Sequence, residues 1–76
     1  MKKCKLHSLP VNKTGIITDV LWQNNISRRL MELGFIKGEK VKVLSVSGGT
    51  TFVIEILDYK IEMRKNALAL IEVEYE

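Results

Sequence analysis

The sequence predicts a mainly β fold: a small, strongly bent five-stranded β-barrel with one short α-helix inserted after the first long strand. Three observations carry that expectation. The 76-residue chain holds several short stretches rich in β-branched residues. One segment, with Ile26, Leu30 and Leu33, repeats its apolar residues at helical steps instead. A glycine stands at each change of direction around that segment, Gly34 and Gly38. A chain of this length buries only about 60% of its unfolded surface, so a single domain over residues 1–76 with one modest core is expected, and curling the sheet hides its edges.

The elements follow in order. Asn12, Lys13 and Gly15 read as a turn, and GIITDVLW as the first long strand, with Ile16, Thr18, Val20 and Trp22 on one face. Asn24 or Asn25 offers a side-chain oxygen to the free amides of the helix that begins there. That helix has about two turns, too few to persist alone in water, so packing through Leu30 and Leu33 must hold it. Gly34 stands where a left-handed residue would end it, Phe35 would fold back onto its apolar side, and Gly38 allows a second reversal.

EKVKVLSV then begins as an alternating strand, but Leu44 and Val46 fall in the phase of the lysines. A bulge, or a strand covered on both faces, is expected beyond Val43. SGGT reads as a hairpin turn. TFVIEIL puts Phe52, Ile54 and Ile56 on one face, Asp58 and Tyr59 read as a turn, KIEMR points Ile61 and Met63 inward, and LIEVEYE aligns Ile71, Val73 and Tyr75.

Composition narrows the function classes. Twelve Lys and Arg against nine Asp and Glu leave a net charge of +3. Lys2, Lys3, Lys5 and Lys13 crowd the start and Glu72, Glu74 and Glu76 the end, which predicts a molecule polarised between a basic region and an acidic last strand. Lys5, His7 and Pro10 interrupt any apolar leader segment, and no run approaches the roughly 20 apolar residues of a membrane span, so a soluble cytoplasmic protein is expected. The single cysteine, Cys4, forms no internal disulfide. Cys4 and His7 have a C-x-x-H spacing, but they are the sole Cys and His, and a structural zinc site takes four ligands; neither a metal site nor a cofactor is assigned. No phosphate-binding glycine loop and no nucleophile with a base at a recognisable spacing is present, so no catalytic residue is assigned and the chain is read as a non-enzyme.

The order of Leu6 and Leu9, then Gly15 and Ile17, then R-R-L-x-E-L-G-F-x-x-G (Arg28 to Gly38), then I-E-M-R and A-L-x-L-I-x-V, resembles the FeoA family. The resemblance covers nearly the whole chain. It implies a small SH3-like barrel in the cytoplasm, an adaptor or regulator in bacterial ferrous iron uptake, whose partner is the FeoB membrane transporter with its GTPase domain. Related SH3-like domains end the metal-dependent repressors of the diphtheria toxin repressor type, but this chain lacks their DNA-binding half. A second resemblance links KGEKVKVLSVSGG, with Lys37, Lys40 and Lys42, to the KOW motif of SH3-like barrels that bind RNA or DNA. Few aromatic residues are free for base stacking, which favours the first reading.

Arg28 and Arg29 flank Leu30 on the helix and face solvent by periodicity, and arginine makes planar two-pronged contacts to carboxylates at interfaces. With Lys37 and Trp22 they are the residues expected to meet a partner. Leu30, Leu33, Gly34, Phe35 and Gly38 are read as structural. Exposed barrel edges also favour self-association into a homo-oligomer.

Overall fold

Alternating apolar residues set the inner face of the sheet. In a computed structural model, which describes residues 1–23 and 25–76, the strands are β1 (Lys2–Lys5), β2 (Thr14–Val20), β3 (Lys40–Ser47), β4 (Thr51–Ile56), β5 (Tyr59–Arg64) and β6 (Ile71–Tyr75). A 3-10 turn spans Leu6–Ser8, and the helices are α1 (Asn25–Glu32) and α2 (Lys65–Leu68). Neighbouring strands pair antiparallel in the order β1-β6-β2-β3-β4-β5. Val41 and Val43, then Phe52, Ile54 and Ile56, then Ile71 and Val73 all point inward, every second residue, onto Leu30 and Phe35.

The mainly β class and the helix after the long strand agree with the sequence reading. The strand count does not: β1 is a sixth strand. Its alternation was hidden because three of its four residues are lysines, and it is held by a partner some seventy residues away. Lys3 lies opposite Glu74 and Lys5 opposite Glu72, with Lys5 Nζ 2.8 Å from Glu72 Oε2. The Lys2 ammonium lies 5.9 Å from the centre of the Tyr75 ring. The expected separation of a basic start from an acidic end is therefore corrected. The two segments are neighbouring strands whose charges offset each other, each exposed pair worth up to about 1 kcal/mol.

The barrel is not closed by strand pairing among the described residues, since β1 and β5 are the ends of the sheet order. Instead α2, which follows β5, packs against the 3-10 turn, with Leu68 and Leu6 both fully buried.

Bulges bend two strands. The register of β3 with β4 shifts between Val43 and Ser45, where the sequence phase slips. A second shift, between Ile17 and Asp19 of β2, breaks the single face expected for Ile16, Thr18, Val20 and Trp22. Ile17 is the core residue of that strand, and Trp22 lies beyond its end. Gly15 sits inside β2 and not in the preceding turn; a Cβ there would meet Leu9 Cδ2 at 3.2 Å and Val73 Cβ at 3.3 Å. The later turn is Leu57–Asp58, with Tyr59 already in β5.

Around α1 the helix stop follows the expectation. Gly34 has φ +107° and ends the helix in a Schellman motif: the Phe35 N–H donates to the Leu30 carbonyl and the Gly34 N–H to that of Met31, both at 3.0 Å. Phe35 is thereby turned into the core beside Leu30. Gly38, at φ +94°, lets its N–H reach the Ile17 carbonyl at 2.7 Å, while the Ile17 N–H reaches Glu39. The corner is thus stitched to β2.

Gly34→Val is expected to lower the unfolding free energy by about 2 kcal/mol or more, because a branched residue resists that backbone and its Cβ would stand 2.8 Å from Leu57 Cδ1. Gly38→Ala, with open space around the new methyl, should lose about 1 kcal/mol. Equal losses in urea unfolding would remove the Leu57 contact from the explanation. Leu30→Ala should lose about 2 to 5 kcal/mol by the same measurement, since the side chain is buried in the one core the chain has.

Candidate functional site

The helix corner gathers most of the exposed chemistry. Successive residues of α1 turn by about 100°, so with Ser27 and Leu30 buried, Arg28 and Arg29 both point outward and Met31 lies on a flank nearer the core. Arg28 and Arg29 line a shallow depression with Asn25, Glu32 and Leu33. Neither arginine makes an ion pair among the described residues. The Met31 flank opens onto a second groove, floored by Phe35 and lined by Asp19, Val20, Ile36 and Lys37. Trp22, 64% exposed, stands two residues beyond Val20 on the segment entering the helix. The structure therefore brings Arg28 and Arg29 together, and puts Lys37 in the other groove.

The entry to α1 is tied by a residue the sequence reading passed over. The Ser27 hydroxyl donates to the Leu21 carbonyl and accepts from the Gln23 N–H, each at 2.8 Å, which accounts for a fully buried serine. Of the two expected capping asparagines, Asn24 lies outside the described residues and Asn25 is the first residue of the helix. Ile26, placed by periodicity on the inner stripe, is 39% exposed, and Leu33 is half-buried; Ser27 takes the inward position. The exit from α1 is clasped by the β4–β5 turn. There the Tyr59 hydroxyl donates to the Leu33 carbonyl and Leu57, itself at φ +54°, packs over Gly34.

Met31 and Ile36 were also missed as surface residues. Met31 is apolar yet falls off the Leu30–Leu33 stripe, and Ile36 is apolar and follows the helix stop, which is the available signal for both.

Other candidates resolve differently. Lys42 lies opposite Glu55 and Glu55 opposite Lys60, so acid interrupts the strand lysines of the KOW-like stretch. Cys4 lies half-buried on β1, where burial raises its thiol pKa and keeps it protonated. His7 stands on the 3-10 turn, its Nδ1 3.2 Å from the Ser8 hydroxyl. Among the described residues, no three His, Cys, Asp or Glu side chains gather as metal ligands would.

A small open barrel of antiparallel strands with one helix corner defines the class of small SH3-like domains. Residues 4–75 match the model of the FeoA domain, and the chain belongs to the FeoA family, with a role in ferrous iron transport. FeoA of Stenotrophomonas maltophilia is 28% identical, over 93% of this chain and 89% of its own, with a TM-score of 0.84; it is described as a prokaryotic SH3 domain protein in complex with zinc and put forward as a ferrous iron transport activating factor. FeoA of Chlorobium tepidum is 30% identical over 95% of this chain and 70% of its own, with a TM-score of 0.85. IdeR of T. acidophilum shares the fold, with a TM-score of 0.85 at 22% identity, over all of this chain and 35% of IdeR. No curated protein matches the chain significantly. No helix among the described residues is long and apolar enough to cross a membrane.

Desolvation, with the charge of Lys65 and then of Lys5, lowers the His7 pKa from its ordinary 6.5. The unfolded chain then takes up a proton there more readily than the folded one, so stability is lost as pH falls below about 6.5. His7→Gln should remove that part of the slope, so that the native-minus-variant difference in unfolding free energy decreases on acidification through this range. A constant difference between pH 7.5 and 5.5 would count against it.

Proposed function

We propose that this protein is a non-enzymatic cytoplasmic adaptor that binds the GTPase-bearing cytoplasmic part of an FeoB-type transporter and modulates ferrous iron uptake. Family membership supports the pathway. The observation that carries the adaptor reading is the outer face of α1, where Arg28 and Arg29 stand exposed, without ion-pair partners among the described residues, on a helix pinned at both ends. Such a helix presents charge without a large ordering cost on binding, and paired guanidinium groups suit a carboxylate-bearing surface.

Modulation then requires that the adaptor bind one state of the transporter more tightly than another, whether the two differ in nucleotide or in gating; equal affinity for both would shift nothing. The nucleic-acid reading has less support, because Lys42, one of the lysines it would use, lies opposite Glu55 across the sheet.

Co-purification with the transporter's cytoplasmic domain tests the proposal. The native chain should be retained, and the double variant Arg28→Glu, Arg29→Glu should bind about tenfold or more weakly while its circular dichroism stays native. Equal retention would take the contact away from the outer face of α1, and no retention of the native chain would end the transporter reading.

A further inference from the structure

The groove on the Met31 flank is a better anchor than the arginine face. Its floor, Phe35, is fully buried, and its walls are the half-buried Val20 with Met31 and Ile36, which are 40% and 50% exposed. Asp19 and Lys37 stand on its rim, one acid and one base. Leu21 and Trp22 carry apolar surface onward from Val20. Apolar side chains left open around a concave floor supply the burial that exposed arginines alone do not.

Charge decides the kind of occupant. On the groove itself Asp19 and Lys37 offset each other, one acid against one base, so its lining has no excess of either sign. An anionic bilayer or a nucleic acid selects a basic excess. The fit is to a protein segment with a protruding apolar side chain and both signs of charge beside it. A second copy of this chain is the other protein that could fill the hollow, and sedimentation separates it from a partner segment.

We infer that this groove seats an amphipathic segment of the transporter's cytoplasmic part, with an aliphatic side chain of leucine or methionine size over Phe35, a basic residue facing Asp19 and an acidic residue facing Lys37. The inference rests on the transporter reading and moves the energetic centre of the contact from the outer face of α1 to its flank. The arginines then lie on the rim, where charge governs encounter and orientation more than affinity.

Trp22 is the sole tryptophan and provides the readout. Tryptophan-free synthetic peptides tiling the cytoplasmic segments of an FeoB-type transporter are titrated into the full chain while its emission is followed. One amphipathic peptide should bind and shift the emission to the blue. Met31→Glu and Ile36→Glu should each weaken it about tenfold or more, while Val46→Glu, an equally exposed apolar site on β3, should bind as the native chain does. Lys37→Glu should also weaken it, with recovery when the peptide's acidic residue is exchanged for lysine.

Unchanged binding by Met31→Glu and Ile36→Glu overturns the inference. So does an equal loss with Val46→Glu, a blue shift produced by phosphatidylglycerol vesicles and by no peptide, or a dimer in sedimentation that Met31→Glu dissolves. If the intact cytoplasmic domain retains the native chain and both groove variants alike, the groove assignment falls and the transporter reading stands. If that domain does not bind the native chain, both fall.

Discussion

The left-handed Gly34 at the end of α1 is the constraint on which the rest of this structure depends. Its backbone lets the Phe35 amide reach the Leu30 carbonyl, and that bond turns Phe35 into the core, where a two-turn helix finds the packing it needs to exist. The absence of a Cβ also admits Leu57, and the Tyr59 hydroxyl then takes the Leu33 carbonyl, one of those left open by the helix end. One residue thus sets the direction of the chain, the burial of an aromatic ring and the docking of a hairpin from the far side of the sheet. In a domain with a single small core, no other element could compensate for its loss.

The outer surface of the sheet is organised by charge matching. β6 lies between β1 and β2, and its glutamates face the lysines of β1, while Glu55 faces Lys42 and Lys60. Each such pair contributes little to stability, but together they leave the sheet without a strong field of one sign. The consequence is spatial. Unmatched guanidinium groups and open apolar side chains collect at the other part of the molecule, where β2 runs into α1 and α1 into β3.

The same barrel occurs as about a third of IdeR, and with nearly the full length of FeoA of Stenotrophomonas maltophilia. A fold shared between an autonomous small protein and part of a larger one does not carry one activity with it. What distinguishes members is the surface around the shared core. Here that surface is an α1 held at entry by Ser27 and at exit by Gly34, a rigid support that limits the entropy lost when a partner docks.

The sequence by itself determined the mainly β class, the place and the stop of α1, the bulge after Val43 and the inward faces of β4 and β6. Each follows from spacing between near neighbours, from glycine at positive φ and from side chains alternating along a strand. It also marked Arg28 and Arg29 as facing solvent. Only the tertiary structure decided that Lys2–Lys5 is a strand, that the basic start lies against the acidic end, that Ser27 replaces Ile26 on the inner face, and that Lys37 shares a groove with Met31 and Ile36 and not with the arginines. Those features depend on contacts between residues far apart in the chain. Local periodicity reports which way a side chain points, and only folding determines what it meets there.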